Sequence, residues 1–189
     1  VTDPVEGFRM PVTDHVLDWT REFYRLKGGA EHLACSGTKR KIPENKRRVY
    51  TYGGFVAEIL AAWHFGIPWP SILPGARTVQ GLTDPDIGAR TQVRMIEHPR
   101  KNLFVRDQDL EHVPDHNWVL VYLDTDPDGW PKRTWFGVIV GWCSGEFVQR
   151  NGRRNATVDA YSDAEAAPAG VLIPRTLLAS VDTLAPGDV

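Results

Sequence analysis

Two cysteines in 189 residues, Cys35 and Cys143, are too few and too far apart for a disulfide framework. No CxxC pair is present, so nothing reads as a structural zinc site. Both cysteines are therefore expected to be reduced, structural thiols. The chain also has no apolar run of transmembrane length, and Val1-Thr-Asp-Pro-Val-Glu6 lacks the charged-then-apolar order of a signal peptide. These absences point to a soluble, cytoplasmic protein without a membrane partner. Charge of one sign is missing as well. A formal net charge of −2 gives no whole-molecule attraction to nucleic acid, so any such partner would need a local basic patch. No internal repeat is evident. The length suits one well-buried core and is short for two ordinary domains. A single domain is expected: residues 1–50 as an N-terminal helix and basic arm, 51–150 as the core, and 151–189 as a C-terminal extension.

What is present divides the chain into periodic stretches and breaks. The first ten residues read as an irregular arm. From Thr13, a plausible N-cap, Val16, Leu17, Thr20, Phe23, Tyr24 and Lys27 recur at helical spacing until Gly28-Gly29. Lys39, Arg40 and Lys41, then Lys46, Arg47 and Arg48, place six cations in ten residues around Pro43, a pattern expected of a loop. A helix is predicted from near Gly54 to Gly66, which stands in the C′ position with Pro68 beyond. Residues 68–84 are rich in Pro and Gly and read as a winding connection. Strands are predicted over 91–96, 102–106, 118–123 and 134–140, with Glu146-Phe-Val-Gln149 as an extension or partner of the last. The apolar run at 118–123 is the natural central strand. Asp107 to Asn117 reads as polar connection, Gln149 to Asn155 as a basic turn, 156–169 as loop, and 171–178 as a last short element. The coarse fold class is α/β, a mixed sheet of about five strands flanked by helices.

Three pieces of sequence carry chemistry. Glu58 stands on the predicted helix with Gly54, Phe55, Ala61 and Ala62 one turn away, an apolar setting in which an uncompensated carboxylate is costly. Pro85-Asp86 sits in a Gly-bounded turn. Gln92-Val93-Arg94 follows on a strand, and the period of two aims Gln92 and Arg94 to one side and Val93 to the other. In that order, helix glutamate, turn aspartate and strand triplet resemble the three-part active site of the PD-(D/E)XK nuclease superfamily, across about the middle half of the chain. The resemblance implies a restriction endonuclease-like core and a metal-dependent endonuclease acting on DNA phosphodiester bonds. It implies Glu58, Asp86, Gln92 and Arg94 as catalytic residues, with Mg²⁺ (or Mn²⁺) held by Glu58, Asp86, Gln92 and the backbone carbonyl of Val93. A homodimer is the candidate assembly. The chain departs from the family at two places, with Gln92 where an acidic residue is usual and Arg94 where lysine is usual. Gln92 brings an oxygen without charge. Arg94 stays protonated, so it can grip a phosphate or orient water but cannot serve as a base.

The plainer readings stand beside these. Glu58 could face solvent through small neighbours or pair with a core arginine, and the triplet could be an ordinary edge strand. A catalytically impaired nuclease-fold protein that binds nucleic acid or a protein is the alternative kept alive by Gln92 and Arg94. A Trp-rich interaction module unrelated to nucleases is the third. Lys39, Arg40, Lys41, Lys46, Arg47, Arg48, Arg153 and Arg154 are the candidate nucleic-acid contacts, against solvated loop charge. Asp84 competes with Asp86 for the turn position and is read as a cap. His98, His112 and His116 are read as surface histidines, and Asp124, Asp126 and Asp128 as a solvated turn. Trp19, Trp63 and Trp135 fit core positions, whereas Trp69 and Trp130 beside prolines fit exposed stacking platforms.

Overall fold

The computed structural model describes residues 6–26, 44–68, 85–125, 134–154, 169–185 and 188–189. Lys39, Arg40, Lys41, Cys35, Trp69, Asp84, Asp126, Asp128 and Trp130 lie outside them.

The long apolar strand is central, as its composition predicts. β4 (Asn117–Thr125) pairs on one side, in parallel, with β2 (Thr91–Ile96) and on the other, antiparallel, with β5 (Thr134–Ser144). β1 (Phe8–Pro11) closes the far edge against β5, giving the order β1-β5-β4-β2. The supposed N-terminal arm thus supplies a strand. A second sheet of three strands, β3 (Leu103–Arg106), β7 (Gly170–Ile173) and β6 (Arg153–Arg154), has the order β3-β7-β6. Among the described residues the expected sheet of about five strands is therefore corrected to a mixed four-stranded sheet plus a separate three-stranded one. The protein is mixed α/β. Residues near both ends of the chain pair within the two sheets.

Alternation along β4 sorts its side chains between two cores. Val119, Val121 and Leu123 join the core built on Phe55, Val56, Ala57, Ile59 and Leu60 of α2 (Glu44–His64). Trp118, Leu120 and Tyr122 join the other, with Leu103 and Val105 of β3, Leu110 of α3 (Asp107–His112), Val148 of α4 (Gly145–Asn151) and Val171 of β7. The main sheet therefore has α2 on one face and the second sheet with α3 and α4 on the other. α1 (Asp14–Leu26) starts where expected, with the Thr13 hydroxyl accepting from the Val16 N–H, and packs against α2.

Three expectations are corrected here. α2 begins at Glu44, not near Gly54, so Lys46, Arg47 and Arg48 lie in its first turns, not in a loop. Its passage through Gly53 and Gly54 costs about 1 kcal/mol per glycine relative to alanine. A Cβ at Gly53 would lie 2.6 Å from Cε of Met95 on β2, the mobile end of a flexible side chain that could move aside. Glu146 to Gln149 belong to helix α4, capped by the Ser144 hydroxyl accepting from the Phe147 N–H, and not to a strand. Asp107 to His112 form helix α3 where connection was expected. The C-terminal end of α2 matches its sequence signature. Gly66 has φ of +69°, its N–H donates to Trp63 O, and the Ile67 N–H donates to Ala62 O at 2.8 Å.

Trp63, expected in the core, is 48% exposed. Cys143 is buried, and burial pushes its thiol up to about 12. It should therefore remain unreacted toward an alkylating reagent at pH 8 in the native protein and react on unfolding, because the thiolate is the nucleophile. Labelling of Cys143 in the native state, located by mass spectrometry, would contradict this packing.

Candidate functional site

Among the described residues β2 is an edge strand, so every second residue turns its backbone N–H and C=O away from β4. Thr91 and Val93 are the residues so turned. Thr91 uses its free edge to close a tight turn. Its carbonyl accepts from the Asp86 and Ile87 N–H groups at 2.9 and 3.1 Å, and its own N–H donates to Ile87 O at 3.3 Å. The turn needs Gly88, which has φ of +59° and on which a Cβ would lie 2.4 Å from the Val189 backbone. Asp188 and Val189 clamp the same turn from outside. Val189 O accepts from the Ala89 and Arg90 N–H groups, both at 3.0 Å, and from the Thr91 hydroxyl at 3.1 Å. Arg90 pairs with the Asp188 carboxylate, and the Asn117 amide donates to Asp188 O.

Asp86 is aimed by this turn along the edge of β2, where its Oδ2 accepts from the Val93 N–H at 2.8 Å. The residue is 7% exposed. The Arg94 guanidinium lies beside it, with Nη1 3.5 Å from Asp86 Oδ2 and donating to Val93 O at 3.1 Å. The carboxylate and the backbone carbonyl that the sequence marked as cation ligands thus both face the same positive group. Nη2 of Arg94 donates to Asp109 Oδ2 at 3.0 Å, and Cζ lies 4.7 Å from the Trp118 ring centroid. Asp109 is itself buried and accepts two further bonds from Arg106, 2.8 Å from Nε and 2.7 Å from Nη2.

Gln92 lies on the Arg94 side of β2, as the period of two requires. Its amide nitrogen is 3.3 Å from Nδ1 of His116. His116 is buried, a correction to its reading as a surface histidine, whereas His98 and His112 are exposed. Burial holds the His116 pKa below the ordinary histidine value, against the opposing pull of Asp115 and Asp86. A neutral ring with the proton on Nε2 lets Nδ1 accept from Gln92.

Asp86, Val93 and Arg94 therefore meet at the edge of β2, and Gln92 lies on the same side of the strand as Arg94. Glu58 belongs to the other layer. It stands on α2, where Phe55 to Ala62 are buried on every face and pack on the Val93 side of the sheet. At 8% exposure it does not face solvent. Among the described residues no group of three or more His, Cys, Asp and Glu side chains is placed to hold a metal ion. Asp86 and Val93 O are hard oxygen donors of the kind Mg²⁺ takes, and a guanidinium already rests on both, so the donor set suits a positive charge. Arg153 and Arg154 are exposed on β6, while Arg150 pairs with Glu146 on the surface of α4.

Sequence reasoning missed Asp109 and His116. Asp109 would have been found by treating Arg106 and Asp109 as an i, i+3 pair, which needed α3 to be seen. His116 becomes a neighbour of Gln92 only through the parallel register that sets Thr91 beside Asn117, and nothing local encodes that. Away from this site, a pocket lined by Trp19, Ile59, Trp63 and Ile67 near the end of α2 is apolar and brings no reacting groups. No helix among the described residues is long and apolar enough to cross a membrane. The chain matches no protein-family model, no curated protein and no solved structure.

Proposed function

We propose that this chain is a metal-dependent nuclease of PD-(D/E)XK type, with a restriction endonuclease-like core, hydrolysing DNA phosphodiester bonds at the edge of β2. The observation that carries the reading is the fixed, buried Asp86 carboxylate held against Val93 and Arg94, the combination the triplet resemblance implies. Mg²⁺ (or Mn²⁺) would be held by Asp86 and the Val93 carbonyl, with Gln92 beside them and without Glu58, which lies in the other layer, and would supply polarisation of the phosphate and a more acidic attacking water. Arg94 would grip a non-bridging phosphate oxygen, for which its planar donors are suited. Lys46, Arg47 and Arg48 on α2 and Arg153 and Arg154 on β6 would add backbone phosphate contacts.

One observation favours the second reading, a nuclease scaffold retained for binding. Arg94 Nη1 occupies the surroundings of both Asp86 Oδ2 and Val93 O, so the protein carries its own positive charge where the cation would sit. Incubation of linear, circular and branched DNA with Mg²⁺, Mn²⁺ or EDTA separates the two readings. Cleavage that EDTA removes supports the first. Salt-dependent binding without cleavage under any divalent ion supports the second.

The basic residues have their own test. Replacing Arg153 and Arg154 with alanine should reduce the slope of log affinity against log salt by about 0.9 per lost duplex phosphate contact. An unchanged slope would mean that this pair is solvated surface only.

A further inference from the structure

The second sheet gathers positive charge at one end. Leu103, which opens β3, pairs with Ile173, which closes β7, so the loop before β3 and the turn after β7 meet there. The Arg175 N–H donates to Asn102 Oδ1 at 3.1 Å, and its guanidinium donates to Pro99 O. On the other side of β7, Arg153 pairs with Leu172 and Arg154 with Val171. This end of the sheet therefore carries Arg100, Lys101, Arg153, Arg154 and Arg175, with Arg150 in the last turn of α4 just before β6. Two carboxylates accompany these cations, Glu97 at 3.7 Å from Lys101 and Glu146 at 2.6 Å from Arg150. Arg100, Arg153, Arg154 and Arg175 have no ion-pair partner among the described residues. In a chain of formal net charge −2, that surplus is a local concentration and not an average property.

Arg100, Arg153 and Arg154 are exposed, and Arg175 is half-buried. The bond from Arg175 to the neutral Pro99 carbonyl orders its guanidinium without cancelling the charge, so less entropy is lost when an anion arrives. We infer that this end of the second sheet is a docking surface for the phosphate backbone of a nucleic-acid duplex, with Arg100, Arg153, Arg154 and Arg175 as its contacts. Guanidinium groups suit phosphate oxygens because their planar donors match them two at a time. Of the exposed large apolar side chains among the described residues, Phe8, Trp63 and Leu177, only Leu177 belongs to this end, and it lies on a three-residue turn. A single strand is held by aromatic stacking platforms and an anionic membrane by the apolar face of a helix, and this surface presents neither. Duplex phosphates need only the charge, and contacts to them are independent of sequence. The inference rests on the nucleic-acid partner that both readings above share, and not on chemistry at Asp86.

Binding of a short DNA duplex to the whole chain, followed by fluorescence anisotropy in EDTA across a range of salt, tests it in wild type, R100A, R100A/R175A and R21A. R100A should lower the slope of log affinity against log salt by about 0.9 and R100A/R175A by about 1.8, the latter with at least about a tenfold loss of affinity at about 0.1 M salt. R21A removes the same charge from α1, where Arg21 pairs with Asp18, and should leave the slope unchanged. An unchanged slope in R100A/R175A while the wild type binds overturns the surface and leaves the nucleic-acid partner standing. No duplex binding by the wild type overturns both. An equal loss in R21A overturns the surface too, because binding would then follow net charge. A single strand bound as tightly as the duplex overturns the choice of duplex, and phosphatidylserine vesicles bound through the same arginines without duplex binding would assign the surface to a lipid headgroup instead. If R100A/R175A does not fold, R100A decides alone, since the Arg100 side chain stands exposed in the loop.

Discussion

Asp86→Ala should abolish divalent-dependent DNA cleavage, by at least about 10²–10³-fold, the loss found when one preorganised electrostatic group is removed from an active site. The fold should survive the change. Asp86 supports Val93 through one buried hydrogen bond from a backbone N–H to a carboxylate, worth about 1.5–3 kcal/mol. Its pairing with the partly exposed Arg94 is 3.5 Å long and adds at most about 1 kcal/mol. The turn itself is built from backbone bonds between Asp86, Ile87 and Thr91 and from the Val189 clamp, which the substitution does not touch. A melting temperature lowered by only about 2–4 °C per kcal/mol lost is therefore expected. Asp86→Asn sharpens the result. It keeps an oxygen for the Val93 N–H and removes only the charge, so cleavage should fall as far as with alanine while the melting temperature changes less. Cleavage by a purified Asp86→Ala protein at the wild-type rate would remove Asp86 from the chemistry, and with it the central assignment.

Local chemistry was legible wherever it needed no partner. Thr13 as an N-cap, Gly66 at φ +69° and the apolar run of β4 are each encoded by a few adjacent residues, and the structure has all three. The placement of Gln92 and Arg94 on one side of β2 follows from strand period alone. Misreadings arose where tertiary packing overrides propensity. Gly53 and Gly54 look like a helix start, yet α2 runs through them into the buried stretch from Phe55 that packs on the sheet. Glu146 to Gln149 read as strand because Phe and Val favour it, but Ser144 caps a helix there. The partition into two sheets was hidden because β3, β6 and β7 are short strands whose pairing is set by residues far apart in sequence. The same distance hid Asp109, which is joined to Arg94 across 15 positions, and His116, 24 positions from Gln92.

Arg94→Lys combined with Gln92→Glu should produce the largest gain, tightening Mn²⁺ binding by more than about tenfold through an added carboxylate and a less obstructive cation. The two substitutions act on different atoms. Arg94 reaches Val93 O and Asp109 at once because a guanidinium carries separate Nη1 and Nη2 donors. An ammonium is a single point with three donors and cannot span both, so a lysine at position 94 would leave either the edge oxygens or Asp109. Either choice lowers the occupancy of the site by the protein's own charge. The Gln92→Glu change would be less effective alone, since His116 lies next to position 92 and a carboxylate there favours its protonated form, which neutralises part of the added charge. The outcome in cleavage assays separates the readings. If the wild type is inactive with every divalent ion and the double variant cleaves, the natural chain is a nuclease scaffold held in a binding state by Gln92 and Arg94. If the wild type cleaves and the double variant gains metal affinity without gaining rate, Arg94 is itself catalytic, because the lost grip on phosphate offsets the better-held ion. If neither protein binds Mn²⁺, the edge of β2 is not a cation site, and Asp86 and Arg94 serve as an ordinary ion pair beside that strand.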